Sequence, residues 1–270
     1  MTALVLVVLF LAALIWLAPR AWALFAGILV IPAAWEWGRL IKLERVACSL
    51  YVILIGALCA ALYAWEQAYA ASGRHAVQTA VFLCASVFWV AVVPVWLWRS
   101  RLPRTRVLAA LTGCIVLVPT WLALVELRNM DPALLFLLMG IAWVSDIAAY
   151  FAGRRYGRHK LAPSISPGKT WEGVAGAVLA VSAYALLWGY AWPHYLPHFV
   201  KSLPLGAFGM LLFMWPLTAF GIYGDLFESA MKRHAGVKDS GALLPGHGGV
   251  LDRIDALTAV LPLAALGYLT

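Results

Sequence analysis

The chain has 270 residues, of which 64% are hydrophobic and 12% charged, and its mean hydropathy is +0.88. A soluble domain carries about 25% charged residues, so this composition excludes a soluble globular protein and points to one embedded in lipid. The net charge of +8, with 14 Trp and 10 Tyr, suits a chain that anchors itself at two water–lipid interfaces.

In chain order, apolar runs predict helical spans near 2–18, 21–37, 48–65, 77–98, 107–125, 133–151, 174–192, 205–223 and 256–270. The fold expected is therefore all-α, a polytopic transmembrane bundle of nine spans, with eight as the alternative. A hydrocarbon core of about 30 Å needs roughly 20 helical residues at about 1.5 Å each, so the first two runs and the last are short. The first run has no Lys or Arg before it and is expected to be a retained span rather than a cleaved leader. It meets the second at Pro19-Arg20, which predicts a tight helical hairpin. Cys48, Cys59, Cys84 and Cys114 lie in apolar stretches, form no CxxC pair and read as small hydrophobes. One membrane domain is the simplest division, with a bland part over 1–130 and a polar-rich catalytic part over 131–270.

Basic residues set an expected orientation. Loops carrying Arg39/Lys42/Arg45, Arg99/Arg101/Arg104/Arg106, Arg154/Arg155/Arg158/Lys160/Lys169 and Lys232/Arg233/Lys238/Arg253 hold 16 of the 20 Lys and Arg. The alternate loops hold Arg20, Arg74, Arg128 and Lys201. Such a split assigns the rich side, and the N-terminus, to the cytoplasm of a bacterial inner membrane.

Seven of the 12 carboxylates follow residue 140: Asp146, Glu172, Asp225, Glu228, Asp239, Asp252 and Asp255. Asp146 interrupts an apolar span, where an Asp costs about 2.5–3.5 kcal/mol at the centre unless a cavity, a metal or a cation receives it. The loop 153–173 mixes basic residues with Ser, Gly and Pro; its GKT at 168–170 is no P-loop, because position 163 is Pro and no strand is expected before it. Such a loop still binds phosphate through side chains and exposed N–H groups.

The longest polar segment, 224–255, places Asp225 and Glu228 three residues apart and Glu228 and Lys232 four apart, which share a face if the preceding span continues as a helix. Asp252 and Asp255 open the last span, where negative charge also favours a helix N-terminus. Between them PGHGG (245–249) supplies a turn whose Gly residues allow close backbone approach. Carboxylates on two helices with Lys232, Arg233, Lys238 and Arg253 form the oxygen-and-cation environment of Mg²⁺ bound with a polyphosphate. His247 has no second His or Cys at ligand spacing, which argues against zinc.

The run SAMKRHAGVKDSGALLPGHGGVLDRID (229–255) resembles the signature of the phosphatidate cytidylyltransferases, also called CDP-diacylglycerol synthases. The pieces 145–154, 159–173 and 224–229 are similar to the family as well, so the likeness is strong over 143–257 and architectural over 1–130. The resemblance implies CTP and phosphatidate as substrates, CDP-diacylglycerol and pyrophosphate as products, and dependence on Mg²⁺, with K⁺ considered as a second cation. It also implies a cytoplasm-facing cavity open to the bilayer and a homodimer, with no nucleic-acid partner.

On that basis Asp225 and Asp252 are expected to hold the metal, with Asp146 or Asp255 as further ligands or supporting groups. Lys232 and Lys238 are expected in the catalytic set. Lys169, Arg233 and Arg253 would meet phosphates; Ser166, Ser229, Asp239, His247, Gly248 and Gly249 would line the substrate site. The rival readings are a CTP-dependent enzyme for another lipid, and a transporter binding an anion at Asp146. The complete signature argues against the first. The confinement of polar segments to one half and one face argues against the second.

Overall fold

The structure, a computed structural model, describes residues 2–69, 75–243 and 248–269, with side chains from residue 8 onward. Twelve helices and one hairpin are present among them: α1 Thr2–Trp16, α2 Pro19–Leu40, α3 Arg45–Tyr69, α4 Ala76–Val87, α5 Val93–Trp98, α6 Arg106–Met130, α7 Pro132–Tyr156, β1 Lys160–Ala162, β2 Ser166–Thr170, α8 Trp171–Ala191, α9 His198–Lys201, α10 Gly209–Ala235, α11 Leu251–Ile254 and α12 Leu257–Leu269. Seven are long and apolar enough to cross a membrane, counting α4 through α5 as one continuous segment. The chain is thus an all-α, multi-pass membrane protein. The first and last runs form helices of 15 and 13 residues, as short as their sequences suggested. The second extends to 22 residues, which is enough to cross.

Local chemistry sets the helix ends. Thr105, Asp131 and Thr170 cap α6, α7 and α8 by accepting the N–H of Leu108, Ala133 and Gly173 at 3.2, 2.7 and 3.1 Å. α10 stops at Gly236, whose φ of +82° is left-handed, and Val237 N–H then reaches back to Lys232 O at 2.9 Å. The Pro19 hairpin is present, and its corner is tied down by Arg128 of α6. That side chain, 7% exposed, donates to the carbonyls of Leu14, at 3.1 Å, and Leu17, and its guanidinium lies 5.8 Å from the Trp22 ring. Arg128, assigned to a loop by composition, is therefore a buried strut.

α7 and α8 pack as a close pair because small residues face each other. A Cβ on Gly176 would lie 2.4 Å from the Ala152 methyl, and one on Gly173 2.9 Å from Ala149 O. Close backbone approach through small residues is the usual packing device where lipid removes the hydrophobic drive between helices. α12 lies against α4, α6 and α10, so the last helix is inserted among earlier ones.

The segment from α4 to α5 contains one wide turn at Phe88–Val92, where Val93 N–H donates to Phe88 O five residues back. The following Pro94 has no N–H to give, and its ring crowds the preceding turn. This turn delivers Phe88, Trp89 and Trp96 onto Phe227 of α10, with ring centroids 5.8, 5.8 and 6.1 Å away; Trp37 of α2 closes the box at 6.2 Å. Phe227 is 1% exposed and sits between Asp225 and Glu228 in sequence, so aromatic packing fixes the rotation of α10. Phe227→Ala is expected to destabilise the fold by about 3–5 kcal/mol, read as a lower midpoint in thermal unfolding of the detergent-solubilised protein.

Candidate functional site

The basic-rich loops meet at one end of the bundle. Lys42, Arg104, Arg106 and His234 border one small pocket of about 170 Å³. Arg233 Nε, at the end of α10, donates to Ile165 O in the β-hairpin turn at 3.4 Å. This hairpin was not legible as such in the loop 153–173: Lys160 pairs with Thr170 and Ala162 with Ser166, with an irregularity between them. Residues 168–170, set aside as a P-loop, form its second strand and lead directly into α8.

Beside the hairpin lies a cavity of about 550 Å³, within the range of small-molecule sites. Its walls are Ser145, Asp146, Tyr150, Gly153 and Arg154 of α7, Lys160, Ser166, Gly168, Lys169 and Thr170 of the hairpin, Gly173 and Val174 of α8, and Ile222 and Asp225 of α10. Lys169 Nζ lies 2.6 Å from Asp225 Oδ2, and Ser229 Oγ donates to Asp225 Oδ1 at 3.3 Å. Arg154 Nη1 donates to Tyr150 Oη at 2.9 Å along the wall. A larger groove of about 730 Å³ between α2 and α3 is lined chiefly by Ala, Leu, Ile and Val, with Arg20 its one charged group. It offers too little polar chemistry for a reaction.

A second cluster adjoins the first through α10. Lys232 Nζ lies 2.5 Å from both Glu228 Oε2 and Asp252 Oδ1, so the four-residue spacing of Glu228 and Lys232 does make an ion pair. Asp252 Oδ2 accepts from Ser240 N, Ser240 Oγ and Gly249 N at 3.0, 2.9 and 2.8 Å. Partial burial works to raise the Asp252 pKa; the bonds from Lys232, Gly249 and Ser240 outweigh it and hold the carboxyl down at about 2. That stabilising contribution is complete above the ordinary Asp pKa of about 3.9 and is lost as pH falls from there through about 2. Asp255 behaves oppositely. Burial first, then the charges of Asp225, Glu228 and Asp146, push its pKa well up, against one bond from Ala256 N–H at 2.7 Å.

Of the residues expected in the site, Asp146, Ser166, Lys169 and Asp225 share the cavity, with Ser229 supporting Asp225 from below. Lys232, Asp252 and Gly249 form the neighbouring network, and Arg233 holds the hairpin to α10. Gly248 has φ +81°, and a Cβ there would lie 2.9 Å from Asp252 Oδ2. Lys238, Asp239 and Arg253 are exposed and do not line the cavity. His247 lies outside the described residues. The Gly249 N–H, expected to face a ligand, is instead taken by Asp252.

Sequence reasoning missed Ser145, Tyr150, Arg154, Lys160 and Thr170 on the cavity wall, and it missed Glu36. Glu36 is 4% exposed in α2 and bonds to the segment 240–251. The available signal was its position as the lone carboxylate of a 22-residue apolar helix, since an ionisable residue inside a span is functional by default.

The donor set bears on a divalent metal. Asp146 and Asp225 present carboxylates to the cavity, and hard oxygen ligands suit Mg²⁺. Among the described residues no three His, Cys, Asp or Glu gather as a cage. Asp225 and Asp252 are each already bonded at both oxygens, so either takes the ion only as its lysine, Lys169 or Lys232, gives way. Lys232→Met leaves Glu228 and Asp252 without their shared cation and is expected to destabilise the protein by about 3–5 kcal/mol. Chemical unfolding monitored by Trp fluorescence measures it, and a loss under 1 kcal/mol would show that the pair is not held together in the folded state.

A model of the cytidylyltransferase family matches residues 1–270. A phosphatidate cytidylyltransferase of Pseudomonas aeruginosa is 39% identical, the alignment covering 98% of this chain and 93% of the relative. One of Haemophilus influenzae is 34% identical over 99% and 96%. One of Bacillus subtilis is 42% identical over 51% of this chain and 49% of its own.

Proposed function

The chain belongs to the cytidylyltransferase family, and from that membership we infer that it is a membrane-bound nucleotidyltransferase that moves CMP from CTP to phosphatidate, giving CDP-diacylglycerol and pyrophosphate. The observation that carries the reading is the 550 Å³ cavity in which Lys169 and Asp225 are ion-paired, walled by the same polar segments that carry the family resemblance.

The reaction is an in-line displacement. A phosphate oxygen of phosphatidate attacks the α-phosphorus of CTP; the new P–O bond forms as the bond to the β-phosphate oxygen breaks and pyrophosphate leaves. The attacking phosphate is already an anion, so no protein nucleophile is required. The protein's contribution is positioning and charge neutralisation. Lys169, Lys160 and Arg154 supply cationic donors to the cavity wall. Ser229 orients Asp225, and the bond from Arg233 to Ile165 O holds the hairpin, hence Lys169, against α10. Asp225 and Asp146 would hold Mg²⁺, with Asp255 behind them, and the bound ion would neutralise charge on the phosphate oxygens. Asp252 in the adjoining network would be a further carboxylate for the ion, and its partner Lys232 a cation for phosphate.

The same reading places the basic end of the bundle, and the cavity, on the cytoplasmic side of a bacterial inner membrane, supported by the uneven Lys and Arg distribution. It includes assembly as a homodimer, which light scattering of the detergent-solubilised protein measures.

The purified chain supplied with CTP, phosphatidate and Mg²⁺ is expected to release pyrophosphate and form CDP-diacylglycerol, and to do neither without phosphatidate. Asp225→Ala and Lys169→Ala should each lower kcat by about 10²–10³-fold while the protein still inserts and runs as a single species. Near-normal turnover in both variants would sink the assignment of this cavity. Removal of divalent ions with EDTA should stop product formation, and Mg²⁺ should restore it.

A further inference from the structure

Glu36 lies outside the stretch that carries the family resemblance and does not line the cavity. Its carboxylate nonetheless receives Ser240 and the backbone at the start of α11. One oxygen accepts Val250 N–H at 3.0 Å; the other accepts Leu251 N–H at 2.8 Å and lies 3.1 Å from Ser240 Oγ. Ser240 Oγ is also 2.9 Å from Asp252 Oδ2. A hydroxyl carries one proton, so Ser240 donates to one of the two carboxylates at a time and accommodates a change at either.

Space is shaped around Glu36 as well. A Cβ on Gly241 would lie 2.4 Å from Glu36 Oε1, and one on Gly249 2.5 Å from Glu36 Oε2. The closeness that Gly permits is thus closeness to Glu36 at Gly241, and to Ser240 Oγ and Glu36 together at Gly249. The amides of residues 249, 250 and 251 are taken in turn by Asp252, Glu36 and Glu36. Without Glu36 two buried N–H groups lose their acceptor, which is costly enough that the backbone moves to find another.

We propose that Glu36 is a positioning residue for cytidylyl transfer: it fixes the start of α11, and thereby the direction in which Asp252 and its partner Lys232 face the phosphates. This rests on the cytidylyltransferase reading above. Glu36 touches no cavity surface and acts through Asp252, as outer hydrogen-bond partners of functional groups generally do, where their loss costs about 10–100-fold in affinity or activity.

The test uses full-length protein in detergent, with Glu36→Gln, Ser240→Ala and a packing control, Leu122→Ala, in the buried face of α6. A purely structural defect lowers the active fraction, and so kcat, but leaves KM unchanged. Glu36→Gln is expected to raise the KM for CTP about 10–100-fold, with Ser240→Ala moving it in the same direction and Leu122→Ala leaving it unaltered. In ligand-free protein, amide hydrogen exchange in the peptide covering 248–256 should accelerate at least about tenfold in Glu36→Gln, as expected when a buried N–H loses its acceptor. A KM within twofold of wild type in both variants overturns the proposal, as does unchanged exchange. If Glu36→Gln does not fold, Ser240→Ala decides: a wild-type KM there overturns it. If the wild-type chain makes no CDP-diacylglycerol, the cytidylyltransferase reading fails, and exchange at 248–256 alone decides whether Glu36 holds the segment.

Discussion

A short chain of buried charge organises this end of the molecule. Lys232 stands between Glu228 and Asp252, Asp252 gathers Ser240 and Gly249, and Ser240 touches Glu36. Ionised groups taken out of water are tolerated only when paired and bonded. Each link therefore constrains the next, from α2 through the loop 237–243 to α11 and back to α10. At residues 249–251 the backbone course follows which carboxylate receives each N–H: Asp252 for Gly249, Glu36 for Val250 and Leu251.

The cavity uses a different device. Its floor is the close pair α7 and α8, its side is α10, and its cover is a two-stranded hairpin too small to be stable alone. The hairpin holds because Thr170 passes from strand to helix cap, and because Arg233 and Lys169 tie it to α10 from opposite directions. Lys169 is thus both part of the wall and part of the fastening. The ion pair it makes with Asp225 lies in the lining of the cavity itself.

Much of this was legible from sequence. Hydropathy located the seven helices long enough to cross and the short α1 and α12, because a lipid environment leaves the backbone little alternative to helix once a run is apolar. Their lengths also marked α1 and α12 as short. The Glu228–Lys232 pair followed from helical spacing alone. The hairpin was not legible: its strands hold Lys, Gly and Pro, and its pairing is fixed by Arg233 and Thr170, which are tertiary facts. Glu36 was passed over because its partners are backbone N–H groups more than 200 residues away, which no side-chain pattern records. Gly248 and Gly249 were expected to let a ligand approach the backbone. Close approach is what they permit, but the groups approaching are Asp252, Ser240 and Glu36.

The wide turn at Phe88–Val92 has an angular consequence. In a regular helix each residue advances by about 100° around the axis, and the extra residue accommodated there sets the phase of everything after it. Trp96 stacks on Phe227, with ring planes 29° apart, only in that phase. Restoring regular winding by deleting one residue would swing Trp96 off Phe227 and toward lipid. The rotation of α10, and with it the side of the helix on which Asp225 emerges, is therefore keyed to an irregularity in a span that carries no polar residue of the site.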